Sequence, residues 1–152
     1  MNHKELTRPF DMAKIKWRIG ARTKDKSKGI ALAYIDARDV MKRLDEVVGW
    51  ENWQATYPRE GTCELSLFVN DRWIVKANCA GETQVEAEKG QASDAFKRAA
   101  VLWGIGRYLY YMPNTWHQLE NGNLPKNFNP QMPDFCNPAN WSTYYPKMFG
   151  GK

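Results

Sequence analysis

The sequence predicts an α+β domain built, in chain order, from a β-hairpin, a helix, a three-stranded antiparallel meander and a long helix. Three observations predict this order. Residues 15–22 alternate apolar and basic side chains, residues 36–49 place apolar side chains at helical spacing, and residues 52–81 hold three strand-like runs separated by turn residues. A length of 152 residues suits one domain with one core.

The predicted hairpin begins with the run IKWRIGAR, in which Ile15, Trp17 and Ile19 share one side of a half-buried strand. A polar link over residues 23–29 follows, and the apolar run over residues 30–35 can return as the partner strand. The tip of this hairpin collects candidate contacts to a polyanion: Arg22, Lys24, Lys26 and Lys28.

The first helix and the meander follow from capping and turn residues. Asp36 is placed to cap the helix with its side chain, and Gly49 is placed just after its C-terminal end. The three apolar runs that come next are broken by Glu60-Gly61 and by Asn70-Asp71. We expect them to form an antiparallel meander packed against the helices.

The second helix is predicted to begin at the capping box Thr83-Gln84-Val85-Glu86 and to run until Pro113 stops it. Gly104 and Gly106 form a GxG without the rest of a dinucleotide fingerprint, so we interpret them as helix-packing positions. The apolar stripe of this helix is expected to pack on the sheet: Ala92, Phe96, Ala99, Trp103, Gly106 and Tyr110.

The basic residues of the long helix, Lys89, Lys97 and Arg98, allow a stripe that tracks phosphates. The alternative is a structural role for these cations, because Asp94 can form an ion pair with Lys97 or Arg98 on the helix surface. Aromatic side chains could stack on bases. Five aromatic residues fall on predicted core faces, and we expect them in the core: Trp17, Trp53, Phe68, Trp73 and Trp103. The tail aromatics stay open between core packing and base stacking: Trp116, Trp141, Tyr144 and Tyr145.

Beyond Pro113 the chain becomes rich in Asn, Pro and aromatic residues and shows neither a helical nor a strand period. We interpret this tail as a strap lying on a neighbouring surface. The predicted organisation is therefore an N-terminal arm over residues 1–13, a core domain over residues 14–112 and a strap over residues 113–152.

The charge of the chain is unevenly distributed. Residues 1–43 hold twelve Lys or Arg and five acids, whereas residues 44–152 hold ten Lys or Arg and twelve acids. Such asymmetry indicates a polyanion-binding surface, with a solvated basic arm as the alternative. Neither a signal peptide nor a bilayer-length apolar run is readable, so we expect a cytoplasmic protein.

Catalytic chemistry has little to build on in this sequence. It contains two histidines, three widely spaced cysteines and no GxxxxGK[ST] motif, so a metal site, a His-activated nucleophile and ATP hydrolysis are all disfavoured. Glu82, Glu86 and Glu88 could hold Mg²⁺ in a nuclease, but acids are also favoured at the start of any helix. We expect no metal, no cofactor and no enzymatic activity.

Two segments, AYIDARDVMKRLDEVVGWENWQ and EAEKGQASDAFKRAAVLWGIGRYLY, resemble the Rad52 superfamily of single-strand annealing proteins, including its phage-encoded members. The first segment is similar to the family's strand end, helix and entry to the meander through Tyr34, Ile35, Asp36, Gly49, Trp50 and Trp53. The second segment is similar to the family's long helix through Lys97, Arg98 and Ala99. The resemblance covers residues 14–112.

This resemblance implies a homo-oligomeric ring or filament in which the hairpin and the long helix line a basic groove for single-stranded DNA. Lys97 and Arg98 match the family's backbone contacts, Arg22 matches an arginine of its first hairpin strand, and Lys89 matches an earlier basic position. The implied function is annealing of complementary strands in recombination and repair without a nucleotide cofactor, with a single-strand-binding protein or a recombinase as candidate partner. The alternatives are a passive single-stranded-DNA-binding module and a metal-dependent nuclease.

Overall fold

The computed structural model describes residues 1–81 and 89–150, with Lys89 described by its backbone alone. The chain forms two compact units. The meander unit comprises Met1–Arg8 and Asp36–Arg107, and the hairpin unit comprises Pro9–Ile35 and Tyr108–Lys152. The helices and strands of the described residues are α1 His3–Thr7, β1 Lys16–Arg22, β2 Lys28–Tyr34, α2 Ala37–Val47, β3 Trp53–Arg59, β4 Thr62–Val69, β5 Arg72–Cys79, α3 Lys89–Leu102, β6 Trp116–Gln118 and α4 Trp141–Phe149.

The meander unit contains the antiparallel sheet that the sequence predicts. Its strand order is β3-β4-β5, and Leu67 of the central strand pairs with Trp53 on one side and Ile74 on the other. Asn70 and Asp71 connect β4 to β5 with φ values of 52° and 63°. Two consecutive residues at positive φ form the tight hairpin turn whose twist matches that of the strands. The predicted breaks between the three runs are therefore confirmed.

Helix α2 begins and ends close to the predicted residues. Asp36 takes the N-cap position, but its backbone carbonyl rather than its carboxylate accepts the first helical bonds, from the N–H groups of Asp39 at 3.1 Å and Val40 at 3.3 Å. The predicted side-chain cap is thus wrong. Gly49 follows the helix at φ 100°, and its N–H donates to the Leu44 carbonyl at 3.1 Å, as expected for a glycine after a C-cap.

The core of the meander unit lies between β4 and the helices. Leu65 and Leu67 of β4 are fully buried, as are Leu44 of α2 and Leu6 of α1. Trp103 is also buried, and its indole N–H donates to the Leu65 carbonyl at 3.1 Å. This bond satisfies the one polar group of a large apolar side chain. The first helix, inside the predicted N-terminal arm, therefore contributes to the core.

The long helix ends earlier than the sequence predicts. Helix α3 stops at Leu102, and Gly104 and Gly106 follow with φ values of 95° and 76°. L-residues rarely adopt this conformation, so these glycines end the helix rather than pack within it. Tyr110, expected on the buried stripe, is 68% exposed, and Ala92 is exposed too. The capping box at residues 83–86 lies outside the described residues.

The hairpin unit contains a sheet with the strand order β1-β2-β6. The predicted hairpin is confirmed, with Lys16 opposite Tyr34 and Arg22 opposite Gly29. The third strand, β6, lies in the tail, where the sequence predicts no strand. Its Trp116 pairs with Ile30 of β2. The described residues include no helix with the length and apolarity that a membrane crossing would require.

The tail also forms a helix, contrary to the prediction of an irregular strap. Helix α4 runs over Trp141–Phe149 with Pro146 inside it. Trp141 is only 2% exposed, and its ring packs against the ring of Tyr145 with centroids 5.9 Å apart. An internal proline removes one backbone hydrogen bond, whereas burial of the Trp141 side chain favours this helix.

Candidate nucleic-acid interface

The hairpin tip, defined as Arg22–Lys28, is an ordered turn. The Asp25 carboxylate accepts bonds from the Thr23 hydroxyl at 2.7 Å, from the Ser27 N–H at 3.0 Å and from the Ser27 hydroxyl at 2.7 Å. The Ser27 N–H and the two hydroxyls lower the pKa of Asp25 to about 2. The turn is thus held by polar side chains other than its lysines.

The lysines of the hairpin tip point their charge at solvent. Lys24, Lys26 and Lys28 are all exposed, and Lys26 has φ 60°, a conformation that bends the chain at this position. The Lys26 N–H donates to the Thr23 carbonyl at 2.9 Å, which closes the turn. Three ammonium groups on one ordered loop form a basic knob suited to phosphate contacts.

Arg22 differs from the lysines because part of its guanidinium supports the fold. Its Nε–H donates to the Gly122 carbonyl at 2.9 Å. Gly122 has φ 78° and follows Asn121 at φ 53° in a tight turn, so this arginine ties the end of β1 to the tail. Arginine has five N–H donors, and this bond uses one of them.

The two faces of the β1-β2-β6 sheet have different surroundings. On one face, Trp17 and His117 make edge-to-face contacts with Phe128 of the tail, with centroids 5.6 Å and 4.9 Å apart. The other, here called the open face, carries Lys16, Arg18, Lys28, Ile30, Leu32 and Trp116, of which the cations and the tryptophan are exposed. The sequence alone leaves the role of Trp116 open and does not single out Arg18.

Helix α3 presents the other predicted cations. Lys97 is half-buried and Arg98 is exposed, while Ala95, Phe96, Ala99 and Ala100 form the buried side of the helix. The Arg98 Nε lies 3.4 Å from the Asp94 Oδ2. The ion pair that the sequence allows between these two residues is therefore present. Lys89 is the first residue of α3, and its side chain lies outside the described part of the chain.

Two further cations of the meander unit lie at the C-terminal end of α3. Arg107 donates from Nε to the Val101 carbonyl at 3.0 Å and from Nη2 to the Leu102 carbonyl at 2.8 Å. Lys76 lies over the Trp103 ring, with its Nζ 4.8 Å from the ring centroid. Cations are favoured at a helix C-terminus by its exposed carbonyls, so both have a structural explanation.

The aromatic residues expected in the core divide between two environments. Trp103 is buried, and Trp17 and Trp53 are half-buried, as expected. Phe68 and Trp73 are exposed, which corrects the prediction for these two residues. They are opposite each other on β4 and β5, with ring centroids 5.4 Å apart, on the sheet face that α3 does not cover.

A metal site would require a cluster of His, Cys, Asp or Glu side chains. Within residues 1–81 and 89–150, no three His, Cys, Asp or Glu side chains come together in a group that could hold an ion. The candidate nuclease acids Glu82, Glu86 and Glu88 fall in the gap between these two ranges.

Comparison with known proteins relates the chain to DNA repair proteins. The profile of the Rad52/22 family of double-strand break repair proteins matches residues 2–65 and 60–128. The single-stranded DNA-binding protein DdrA of Deinococcus deserti is 36% identical over 139 residues, which span 89% of this chain and 69% of that protein. DdrA of Deinococcus radiodurans is 30% identical over 140 residues, which span 89% and 67% of the two chains.

Proposed function

Because this chain belongs to the Rad52/22 family of double-strand break repair proteins, we propose that it binds single-stranded DNA and anneals complementary strands in homologous recombination and repair. Two relatives named as single-stranded DNA-binding proteins support this proposal. The observation that carries it is the hairpin tip, where Lys24, Lys26 and Lys28 stand exposed on an ordered turn.

Annealing follows from where the protein holds the strand. Cations bind phosphates without regard to sequence, and phosphate contacts leave the hydrogen-bonding edges of the bases accessible. A strand held extended in this way can test a second strand for Watson–Crick pairing, and pairing itself supplies the free energy. The reaction then requires neither ATP nor a metal ion, and the protein acts as a binding surface rather than as an enzyme.

On the meander unit we assign phosphate contacts to Lys97 and Arg98, with Lys89 as a further candidate. Arg98 is exposed on α3, and its partner Asp94 is a surface carboxylate that a phosphate can replace. On the hairpin unit we assign them to Arg22 and the three tip lysines. Because Arg22 also bonds the Gly122 carbonyl, its replacement would disturb the turn as well as DNA binding.

We also propose a homo-oligomer, as a ring or a filament. Within residues 1–81 and 89–150, strands β3 and β5 each pair with β4 alone, so we expect both edges of the meander sheet to accept a neighbour. Exposed edges are usually protected, and assembly of subunits is one way to protect them. A single-strand-binding protein or a recombinase is a suitable partner for this activity, and the bacterial relatives support a cytoplasmic location in a bacterial cell.

The test is fluorescence-monitored annealing of two complementary oligonucleotides without ATP, run with chelator present and repeated with Mg²⁺ in place of chelator. We expect the protein to accelerate annealing, and the Lys97→Ala/Arg98→Ala variant to lose the acceleration. The salt slope of log affinity should fall by about 0.7 for each lost phosphate contact on a single strand. The matched control is Arg38→Ala/Lys42→Ala, which removes two exposed cations from α2 and should anneal normally.

Four results would contradict this proposal or the residues assigned to it. Tight binding without acceleration would favour a passive binding module, and loss of oligonucleotide that chelator prevents would favour a nuclease. If the α3 variant unfolds, as seen by circular dichroism and light scattering, Lys97 and Arg98 are structural. If the α2 control fails equally, overall charge rather than the α3 surface governs annealing.

A further inference from the structure

The open face of the hairpin unit brings an aromatic ring and two cations together. Ile30 and Leu32 lie two residues apart on β2 and so point to the same side of the sheet. Trp116 is opposite Ile30, Arg18 is opposite Leu32, and directly opposed residues share a face. Lys28, two residues before Ile30, lies on this face as well.

The floor of this face is apolar. Ile30 and Leu32 are half-buried beneath the exposed side chains. The absence of a side chain at Gly20 makes room for Leu32, because a Cβ at Gly20 would lie 2.6 Å from the Leu32 Cδ1. Leu32 therefore lies across the β1 backbone, leaving the ring of Trp116 at the edge of a shallow surface.

Trp116 is exposed although its immediate neighbours on the next strand are apolar. It is 50% exposed and lies in a three-residue strand that pairs with β2 on one side. Trp17 and His117, on the opposite face, are instead covered by the ring of Phe128. One face of this sheet thus already has an aromatic cover from within the chain, whereas the other presents a half-exposed ring to solvent.

The charge of the open face points to the chemistry of its partner. The open face carries three cations, Lys16, Arg18 and Lys28, and strands β1, β2 and β6 contain no Asp or Glu. Lys28 lies on the strand next to Trp116, displaced along it by about 7 Å, the length of two residues. Arg18 lies on the far strand, about 10 Å away across two strand spacings and displaced by about 7 Å along the strand in the opposite direction. Both long side chains can reach phosphates that flank a base on the ring.

We infer that the open face is a stacking platform for single-stranded DNA, in which the Trp116 ring holds one base while Arg18 and Lys28 hold the neighbouring phosphates. This inference rests on the proposed function and adds a base contact to it. Stacking occupies the flat side of a base and leaves its pairing edge accessible, so the contact is compatible with annealing. Because every base has such a flat side, it requires no particular sequence.

The test compares oligo(dT) with an abasic oligonucleotide of the same length and label. The native protein should bind oligo(dT) more tightly. Since a base stacked on an aromatic ring contributes about 1–3 kcal/mol, Trp116→Ala should weaken oligo(dT) binding by about fivefold or more. The affinity for the abasic strand should stay unchanged. Trp116→Phe should restore the preference, because phenylalanine retains a ring.

The flanking cations give a different pattern. Arg18→Ala and Lys28→Ala should each weaken the binding of both oligonucleotides equally. Each should also lower the salt slope of log affinity by about 0.7. The matched control is Trp50→Ala, which removes an exposed tryptophan that is 77% accessible and adjoins Glu51. It should keep the native preference for oligo(dT).

The possible failures are distinguishable. A native protein that binds neither oligonucleotide would contradict the proposed function itself. Binding of oligo(dT) that Trp116→Ala leaves unchanged would overturn the stacking inference alone. A change of oligomeric state in Trp116→Ala, seen by light scattering, together with equal weakening of both oligonucleotides, would also overturn it, because the open face would then be covered by a second copy of the chain.

Discussion

Removal of the Asp94 carboxylate should strengthen binding of single-stranded DNA. Asp94 lies one turn before Arg98 on α3, and its Oδ2 is 3.4 Å from the Arg98 Nε. In the free protein this carboxylate holds the guanidinium that we assign to a phosphate. It also repels the phosphate directly. Asp94→Asn removes both effects and retains the shape of the side chain.

The size of the gain follows from the exposure of the ion pair. The two side chains are 48% and 40% exposed for Arg98 and Asp94, so solvent screens their attraction. Exposed pairs at this helical spacing contribute about 0.3–0.5 kcal/mol. Release of this attraction corresponds to about a twofold gain in affinity, with the lost repulsion adding to it. The substitution should lower the stability of the helix by no more than about 0.3–0.5 kcal/mol, because Asn and Asp have similar helix propensities.

The assay is a fluorescence anisotropy titration of labelled single-stranded DNA at low salt. It measures the effect of Asp94→Asn on affinity in the native protein and in the Arg98→Ala variant. A gain in the native background that shrinks when Arg98 is absent would show coupling between the two side chains. An equal gain in both backgrounds would mean that Asp94 acts through overall charge. A fall in affinity would refute the reasoning, since the carboxylate would then be orienting Arg98 for DNA.

Three further predictions concern stability and reactivity. The pKa of Asp25 is lowered from 3.8 to about 2, so the hydrogen bonds of its carboxylate should stabilise the hairpin tip above about pH 4 and be lost as the pH falls through 2. NMR of the Ser27 amide, with Asp25→Ala as control, would show whether the hairpin tip stays ordered at low pH. Burial raises the pKa of the Cys136 thiol to about 11 and raises that of Cys63, so at pH 8 iodoacetamide should label the exposed Cys79 first; mass spectrometry showing early labelling of Cys136 would contradict its burial. Leu65→Ala should lower the free energy of unfolding by about 2–5 kcal/mol in urea titrations, because Leu65 is fully buried, whereas a loss below about 1 kcal/mol would show that the core collapses around the gap.

The elements that the sequence predicts well are those with strong local signals. In the meander, alternating side chains and the turn at Asn70-Asp71 define each strand within a few residues of chain. The hairpin is similar, since Trp17 and Ile19 alternate with basic residues on β1. These patterns reflect short-range physics, namely side-chain alternation and the backbone preference of turn residues, so they need no knowledge of distant contacts.

The errors arise where the decisive contact or conformation is invisible to a periodic pattern. The apolar period continues from Trp103 to Tyr110, but the positive φ of Gly104 and Gly106 ends the helix. Strand β6 has three residues, too few to show alternation, and it forms by pairing with a strand far away in the chain. The nearby Asn121-Gly122 turn lies beyond the end of β6 and connects Glu120 to Asn123, so it gives no local signal for this strand.

The sequence identifies candidate cations for the site, but not the backbone contacts that the structure gives to individual cations. Arg43 donates to the carbonyls of Leu6 at 3.0 Å and Arg8 at 2.6 Å, and Arg107 similarly completes the end of α3. These bonds tie both guanidinium groups to the backbone, so Arg43 and Arg107 each have a structural role. In the hairpin tip, by contrast, Asp25 and its hydroxyl partners hold the turn. We therefore expect the tip lysines to be dispensable for folding, as a replaceable, sequence-independent phosphate contact requires.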